Sequence, residues 1–401
     1  MLLKSSISTS PLQVSHAINA LLTTAFHKKA AVAIWKKPFE TKKYALVCLK
    51  GYDTPISPDL ETMGEGFLIA PFDWQEMVFF LHADWLAVWE NDETILSPES
   101  NLVTNSNLDA FFLEVRKFSS KNAHIHYFTS SPPREVSNDY FLEITKRAID
   151  DINDGKFQKV VLSRASTHPL PNGFDTGAFF EKLTLAYPTA FVSLVSLPHV
   201  GTWIGASPEL LVSLDRKGIF RTVALAGTQP LPADENLKEV AWKQKEIEEQ
   251  AMVSRYIINC FKKIRLREFE EIGPRTARAG HLVHLKTDFV VDTVATNFPQ
   301  LATVMLSLLH PTSAVCGMPK EPALSFIKAY ENYQRSLYSG FLGAVNIEEE
   351  THLFVNLRCL QLQNGVAYAY AGAGITADSV PEKEWQETML KMNTLLKILR
   401  S

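Results

Sequence analysis

The chain has 401 residues, 46% of them hydrophobic and 21% charged, enough apolar material for a large core in one big domain or two modest ones, which excludes a largely disordered chain. Its net charge of −4 gives no basic field, so neither nucleic acid nor an anionic membrane is the expected partner, and a small molecule is. Four cysteines, Cys48, Cys260, Cys316 and Cys359, lie far apart without a CxxC, which argues against a disulfide framework or zinc knuckle and for buried thiols in a reducing compartment.

The opening, MLLKSSISTSPLQVS, lacks the apolar core of a signal peptide, and no run approaches ~18 apolar residues. The expected location is the cytoplasm. Strand-like runs follow, YALVCLK, EMVFFLHA and WLAVW, with aromatics but no chemical motif. Residues 1–130 therefore read as an N-terminal structural lobe packed on the same fold as the rest. The clearest break is TSSPPREVSND, Thr129 to Asp139, where Pro132-Pro133 forbids helix and Ser137 or Asn138 can cap the helix that follows. That helix sets Phe141, Ile144, Ala148 and Ile152 at helical spacing and closes on Gly155.

In the next strand, FQKVVLSRA, a period of two puts Lys159 on the face of Phe157 and Val161. A lysine so desolvated can supply a neutral amine as general base; the bland alternative is a stem that snorkels past a sheet edge. Strands are expected at FVSLVSL, TWIGA, ELLVSL, FRTVALAG, HLVHLKTDFVV, SGFLGAVN, HLFVNLRCLQL and VAYAYAG, with helices at 236–265, 297–309, 321–337 and 381–400. In WIGASPELLVSL, Pro208 ends one strand and Glu209 opens the next beside Leu210 and Leu211, an environment that raises a carboxyl pKa and suits a general acid. LAGT, 225–228, offers small residues at a strand exit, where backbone amides can approach an anion. The pair His281 and His284 has strand spacing of three, so the rings face opposite ways and at most one meets a cavity.

WKQKEIEEQAMVSRYI carries Glu246 and Glu249 at i and i+3 on one helix, and GAGITADSVPEKEWQETMLK repeats the arrangement with Glu384 and Glu387, with Lys391 one turn on. Either pair alone is a solvated helix face; two together could hold a hard cation through oxygen, as magnesium is held with waters and a substrate anion. No His or Cys accompanies them, which disfavours zinc. Arg358 in NLRC is a candidate carboxylate fork. So many strands with tight connections favour an α+β fold, a large strand-rich core of layered antiparallel sheets with helices outside.

Taken in order, KVVLSRA, GASPELL, LAGT, the Glu246/Glu249 helix, HPTSAVCG, YSGFLGAVN, NLRC and GAGITADSVPEKEWQET resemble the chorismate-utilising enzymes: isochorismate synthase, salicylate synthase, anthranilate synthase component I and aminodeoxychorismate synthase component I. The resemblance runs from about residue 137 to 401 and implies a chorismate-binding catalytic domain there. It implies Mg2+ held by Glu249 and Glu387, with Glu246 and Glu384 in support, the metal holding the ring carboxylate of chorismate and Lys391 nearby. It places Arg358 and Tyr338, with the backbone near Gly374, at the enolpyruvyl carboxylate, and His284, Thr228 and the Gly227 amide near the ring. Lys159 stands where the anthranilate synthases carry glutamine, which suits water as nucleophile; Ala226 stands where aminodeoxychorismate synthases carry a nucleophilic lysine.

Isochorismate synthesis is therefore the expectation, with water added at ring carbon 2 with Lys159 as base, coupled to loss of the carbon 4 hydroxyl with Glu209 as acid. A monomer without a glutaminase subunit is expected. Salicylate synthase, which goes on to eliminate pyruvate, is the rival, but it tends to carry threonine where this chain has Ala314. A non-catalytic chorismate-binding protein on the same fold is the alternative from another class.

Overall fold

Alternating large apolar residues with both faces buried builds two sheets here, and the computed structural model describes residues 14–55, 57–74, 77–90, 106–119, 125–232, 236–279 and 282–401. The first part of the chain forms α1 (Val14–Lys28), β1 (Ala31–Lys36), β2 (Lys43–Cys48), β3 (Gly66–Ala70), β4 (Phe79–His82), β5 (Trp85–Trp89) and α2 (Ser106–Ser119). Then come α3 (Asn138–Asn153), β6 (Lys159–Pro169), α4 (Thr176–Ala186), β7 (Phe191–Leu197), β8 (Gly201–Ser207), β9 (Leu210–Leu214), β10 (Ile219–Pro230) and α5 (Gln244–Lys263). The remainder is β11 (Glu270–Ala279), β12 (Leu282–Asp292), α6 (Leu301–Leu309), β13 (Gly317–Met318), α7 (Lys320–Tyr330), β14 (Phe341–Ile347), β15 (Glu350–Val355), β16 (Cys359–Gln363), β17 (Val366–Ile375) and α8 (Pro381–Leu399).

Nine strands run in the order β13-β6-β17-β16-β8-β7-β1-β2-β5 and eight in the order β11-β12-β10-β9-β15-β14-β3-β4. β1 shows how a strand serves two cores. Ala31, Ala33 and Trp35 enter a cluster built from both sheets, where Trp35 stacks on Tyr44 and meets Phe67. Val32 and Ile34 face the other way, into a core shared with α1, α2, α4 and α8. A third cluster packs α3, α5, α6 and α7 against the eight-stranded sheet and one end of the other. The strand-rich α+β arrangement with helices outside is the one expected. Strands from before and after Pro132-Pro133 pair directly, β1 with β7 and β3 with β14, and Ser137 caps α3 by accepting from Tyr140 N.

Three expected elements are corrected. HLFVNLRCLQL is two strands in different sheets, because Arg358 takes φ 47° and Asn356 anchors the break by donating from Nδ2 to Leu337 O at 2.9 Å. The helix expected over 236–265 begins at Gln244, after a single 3-10 turn, Leu237–Glu239; there Glu246 accepts from Lys243 N at 2.8 Å and Trp242 donates to Thr276 Oγ1 at 3.0 Å. The helix expected over 321–337 stops at Tyr330, because Glu331 turns inward to accept from Ser163 N. α1, α2, α4, β1, β3 and β11 carry no signal that the sequence motifs had marked.

Candidate active site

The site lies in a cleft of about 790 Å³, open mouth included, between β6, β10, β12, the β15–β16 break, α5 and α8. β6 delivers Lys159 inward. Its side chain is 2% exposed, and Nζ donates to Glu249 Oε1 at 2.8 Å. The neighbouring strand makes room for it at Gly374, where a Cβ would stand 2.9 Å from Lys159 Cε and 3.3 Å from Glu249 Oε1.

Pro208 ends β8 and turns Glu209 into the interior, 5% exposed. Burial raises the Glu209 carboxyl to about 7, against the hydrogen bond from Thr312 and the charges of Lys159, Lys391 and Arg358. The Thr312 bond is long, 3.5 Å, so desolvation wins.

Between Ala226 and Gln229 the pairing of β10 with β12 shifts register, and this bulge leaves Gly227 and Thr228 opposite His284. Gly227 sits at φ +64°, and a Cβ there would meet Glu246 and Trp242 at 3.1 and 3.2 Å. His284 Nδ1 lies 2.8 Å from Gly227 O, and Nε2 lies 2.7 Å from Arg358 Nη2. A carbonyl only accepts and a guanidinium only donates, so the ring is neutral with its proton on Nδ1. Burial, then the Arg358 charge, lowers His284 to about 3, consistent with that tautomer. Burial also lowers the Arg358 guanidinium, to about 10. Tyr338, raised by burial to about 12, stacks on Tyr370, 5.4 Å between ring centres. Of the two candidate histidines, His281 lies outside the described residues.

The glutamate pairs face each other from α5 and α8, and each acid has a basic or amide partner. Glu249 meets Lys159; Glu387 meets Lys391 at 2.7 Å; Glu384 meets Lys245 at 3.1 Å; Glu246 accepts from Lys243 N. Burial would raise the Glu249 carboxyl, but the Lys159 charge and hydrogen bond, with Lys391 and Lys245, hold it down at about 2. The Lys391 ammonium is raised despite its burial by Glu387 and Glu249, and it donates to Gly372 O at 2.9 Å. Among the described residues no three His, Cys, Asp or Glu side chains already converge on one cation position. The donor set is nonetheless all oxygen from two facing helices, which fits a hard cation completed by water and substrate oxygens.

Of the residues predicted from sequence, Glu209, Gly227, Thr228, His284, Tyr338 and Arg358 line this cleft, joined by Glu249, Glu387 and Lys391. Lys159, Gly374, Glu246 and Glu384 stand behind that lining, in contact with it or with its partners. Ala314 and Val315 put apolar side chains on this wall. Sequence reasoning missed Lys245, whose only signal was its place beside Glu246, and the buried pair Glu331 and Arg335, whose i, i+4 spacing was visible but undistinguished.

The profile of the family described as chorismate binding enzyme matches residues 73–400. The chain belongs to this family. It is 30% identical over 263 residues to the isochorismate synthase EntC of Escherichia coli K12, covering 64% of this chain and 66% of that protein, just under two thirds of its length. Anthranilate synthase component 1 of Aquifex aeolicus is 29% identical over 270 residues, 65% of this chain and 52% of that protein. Among solved structures, the menaquinone-specific isochorismate synthase MenF of Escherichia coli superimposes with a TM-score of 0.69 at 19% identity, over 99% of this chain and 92% of that one. Anthranilate synthase component I of Streptococcus pneumoniae TIGR4 gives 0.64 at 20%, over 92% of both. At these identities the superpositions establish a shared fold. Among the described residues no helix is long and apolar enough to cross a membrane.

Proposed function

We propose that the protein is an isochorismate synthase, adding water at ring carbon 2 of chorismate and expelling the carbon 4 hydroxyl. The observation that carries this reading is one cleft holding a buried carboxyl poised near neutral pH, Glu209, together with a buried ammonium, Lys159, behind the opposite acid wall. Acting as the neutral amine, after its ammonium proton has been lost to bulk water, Lys159 takes the proton of the attacking water, and Glu209 gives one to the departing hydroxyl, so one water enters and one leaves. Arg358, held by neutral His284, presents its guanidinium to the enolpyruvyl carboxylate beside Tyr338. Lys391 lies by the ring carboxylate.

Glu249 and Glu387, supported by Glu246 and Glu384, would hold Mg2+. The ion would supply the positive charge that fixes the ring carboxylate. Ala314 and Val315 put no hydroxyl on the adjoining wall, which favours release of isochorismate over pyruvate elimination. We read the protein as a cytoplasmic monomer that needs no glutaminase subunit.

The test is incubation with chorismate and Mg2+, with and without chelator, and chromatographic identification of products. Isochorismate alone, abolished by chelator, is expected. Salicylate with pyruvate would move the protein to the lyase branch, and unchanged chorismate under every metal and ammonia condition would leave a binding protein.

A further inference from the structure

The strand that carries Lys159 has one edge without a full partner. β17 pairs with β6 along its length, but on the other side β13 covers only Lys159 and Val160. Cys316 O accepts one further bond, from Val161 N at 2.8 Å. Beyond it the carbonyl of Val161 and the amide of Ser163 are buried, and such groups are costly when unpaired.

Two side chains from the end of α7 and the turn after it replace the missing strand. Arg335 Nη2 donates to Val161 O at 2.7 Å, and Glu331 Oε1 accepts from Ser163 N at 2.7 Å. The two are locked together, Nε to Oε2 at 2.8 Å and Nη2 to Oε1 at 2.6 Å, with both side chains 2% exposed. The same guanidinium donates from Nη1 to Val315 O at 2.8 Å and lies over Phe72, 4.2 Å from the ring centre. One ion pair therefore joins the Lys159 strand to the 312–316 segment. Val161 and Val315 line the cleft from those two segments, and Thr312 is the hydroxyl partner of Glu209. Stability alone does not call for such a pair, since apolar replacements of buried ion pairs are often neutral or stabilising.

We propose that Glu331 and Arg335 are positioning residues that set the gap between the Lys159 strand and the wall supporting Glu209, and thereby the alignment of base and acid across the ring. The proposal deepens the synthase reading and rests on it for its kinetic arm. Two variants test it, Arg335→Lys, whose three donors sit on one atom and cannot span the four bonds that Nε, Nη1 and Nη2 make to Val161, Val315 and both oxygens of Glu331, and Glu331→Gln, which keeps shape and one acceptor in case the first folds poorly.

Turnover of chorismate per folded molecule is expected to fall about 100-fold with KM within a few-fold of wild type. Hydrogen exchange is expected to quicken at 159–163 and 312–316 together. A lowered melting temperature with turnover per folded molecule unchanged would reduce the pair to a structural role and overturn the proposal. If the wild-type protein leaves chorismate untouched, the synthase reading fails by itself and exchange decides: joint loss of protection in both segments supports positioning, and loss in one or neither overturns it.

Discussion

Two carboxylates share the cleft and have opposite characters. Glu209 is pushed up to about 7 and Glu249 is held at about 2, although burial acts to raise both. The difference is the neighbour. Glu249 has the Lys159 ammonium at 2.8 Å, while Glu209 has a threonine hydroxyl at 3.5 Å and its cations further off. Desolvation is common to the two ends of the site, and a charge in direct contact decides which acid keeps its proton. One end thus becomes a proton donor and the other an anionic wall, from the same side-chain type.

The largest expected effect comes from removing that deciding charge. Lys159→Ala is expected to lower turnover of chorismate by about 10³-fold or more while ligand binding, followed calorimetrically, persists. A binding protein would be indifferent to the change, so unchanged behaviour would sink the catalytic reading. Next comes Glu209→Gln, expected to cost about 100-fold in turnover. Because the protonated carboxyl is the working form, wild-type kcat/KM should decline as pH rises above about 7, and the glutamine variant should lose that limb. A limb that survives in the variant would assign it to another group.

The same comparison can be read in stability, with opposite signs. The folded state holds the Glu209 proton more tightly than the unfolded chain does. Its contribution is present below pH 4.5 and is lost as pH climbs through about 7, worth roughly 3 kcal/mol. Glu249 is the reverse: its contribution is present above pH 4.5 and is lost as pH falls toward 2, and it is worth less than its full shift because the side chain is 29% exposed. Denaturant melts across this range should show Glu209→Gln flattening only the upper slope and Glu249→Gln only the lower. A single variant altering both slopes equally would mean the two acids titrate as one unit.

Much of this contrast was legible in the sequence. Lys159 on an apolar face, Glu209 after Pro208 and the two i, i+3 glutamate pairs are local patterns, and each is read from a few adjacent residues. What escaped was long-range. The neutral state of His284 depends on Gly227 and Arg358, 57 and 74 residues away in sequence. The break at Arg358 was hidden because both halves of HLFVNLRCLQL have strand periodicity and only the positive φ between them sends each to a different sheet. The Glu331–Arg335 pair looks like any helical i, i+4 pair until the bare edge of β6 is seen beside it. The pairing of Lys159 with Glu249 and of Lys245 with Glu384 likewise joins separate elements, whereas Lys391 beside Glu387 is a local i, i+4 pair.

The smallest expected effect is the most local. Gly374 is in β17 opposite Val161, at an ordinary strand conformation, so alanine there carries no backbone strain and acts through its Cβ alone. That Cβ would press on Lys159 Cε at 2.9 Å, closer than carbon atoms pack without moving. Lys159 has little room to yield, since its side chain is 2% exposed and its ammonium is tied to Glu249. Gly374→Ala is therefore expected to shift the ammonium by a few tenths of an ångström and to lower turnover roughly tenfold, with the melting temperature nearly unchanged. Gly227→Ala provides the contrast, because at φ +64° it strains the backbone and should lower the melting temperature as well. Full activity in Gly374→Ala, alongside an inactive Lys159→Ala, would show that the amine is needed but its position against β17 is not.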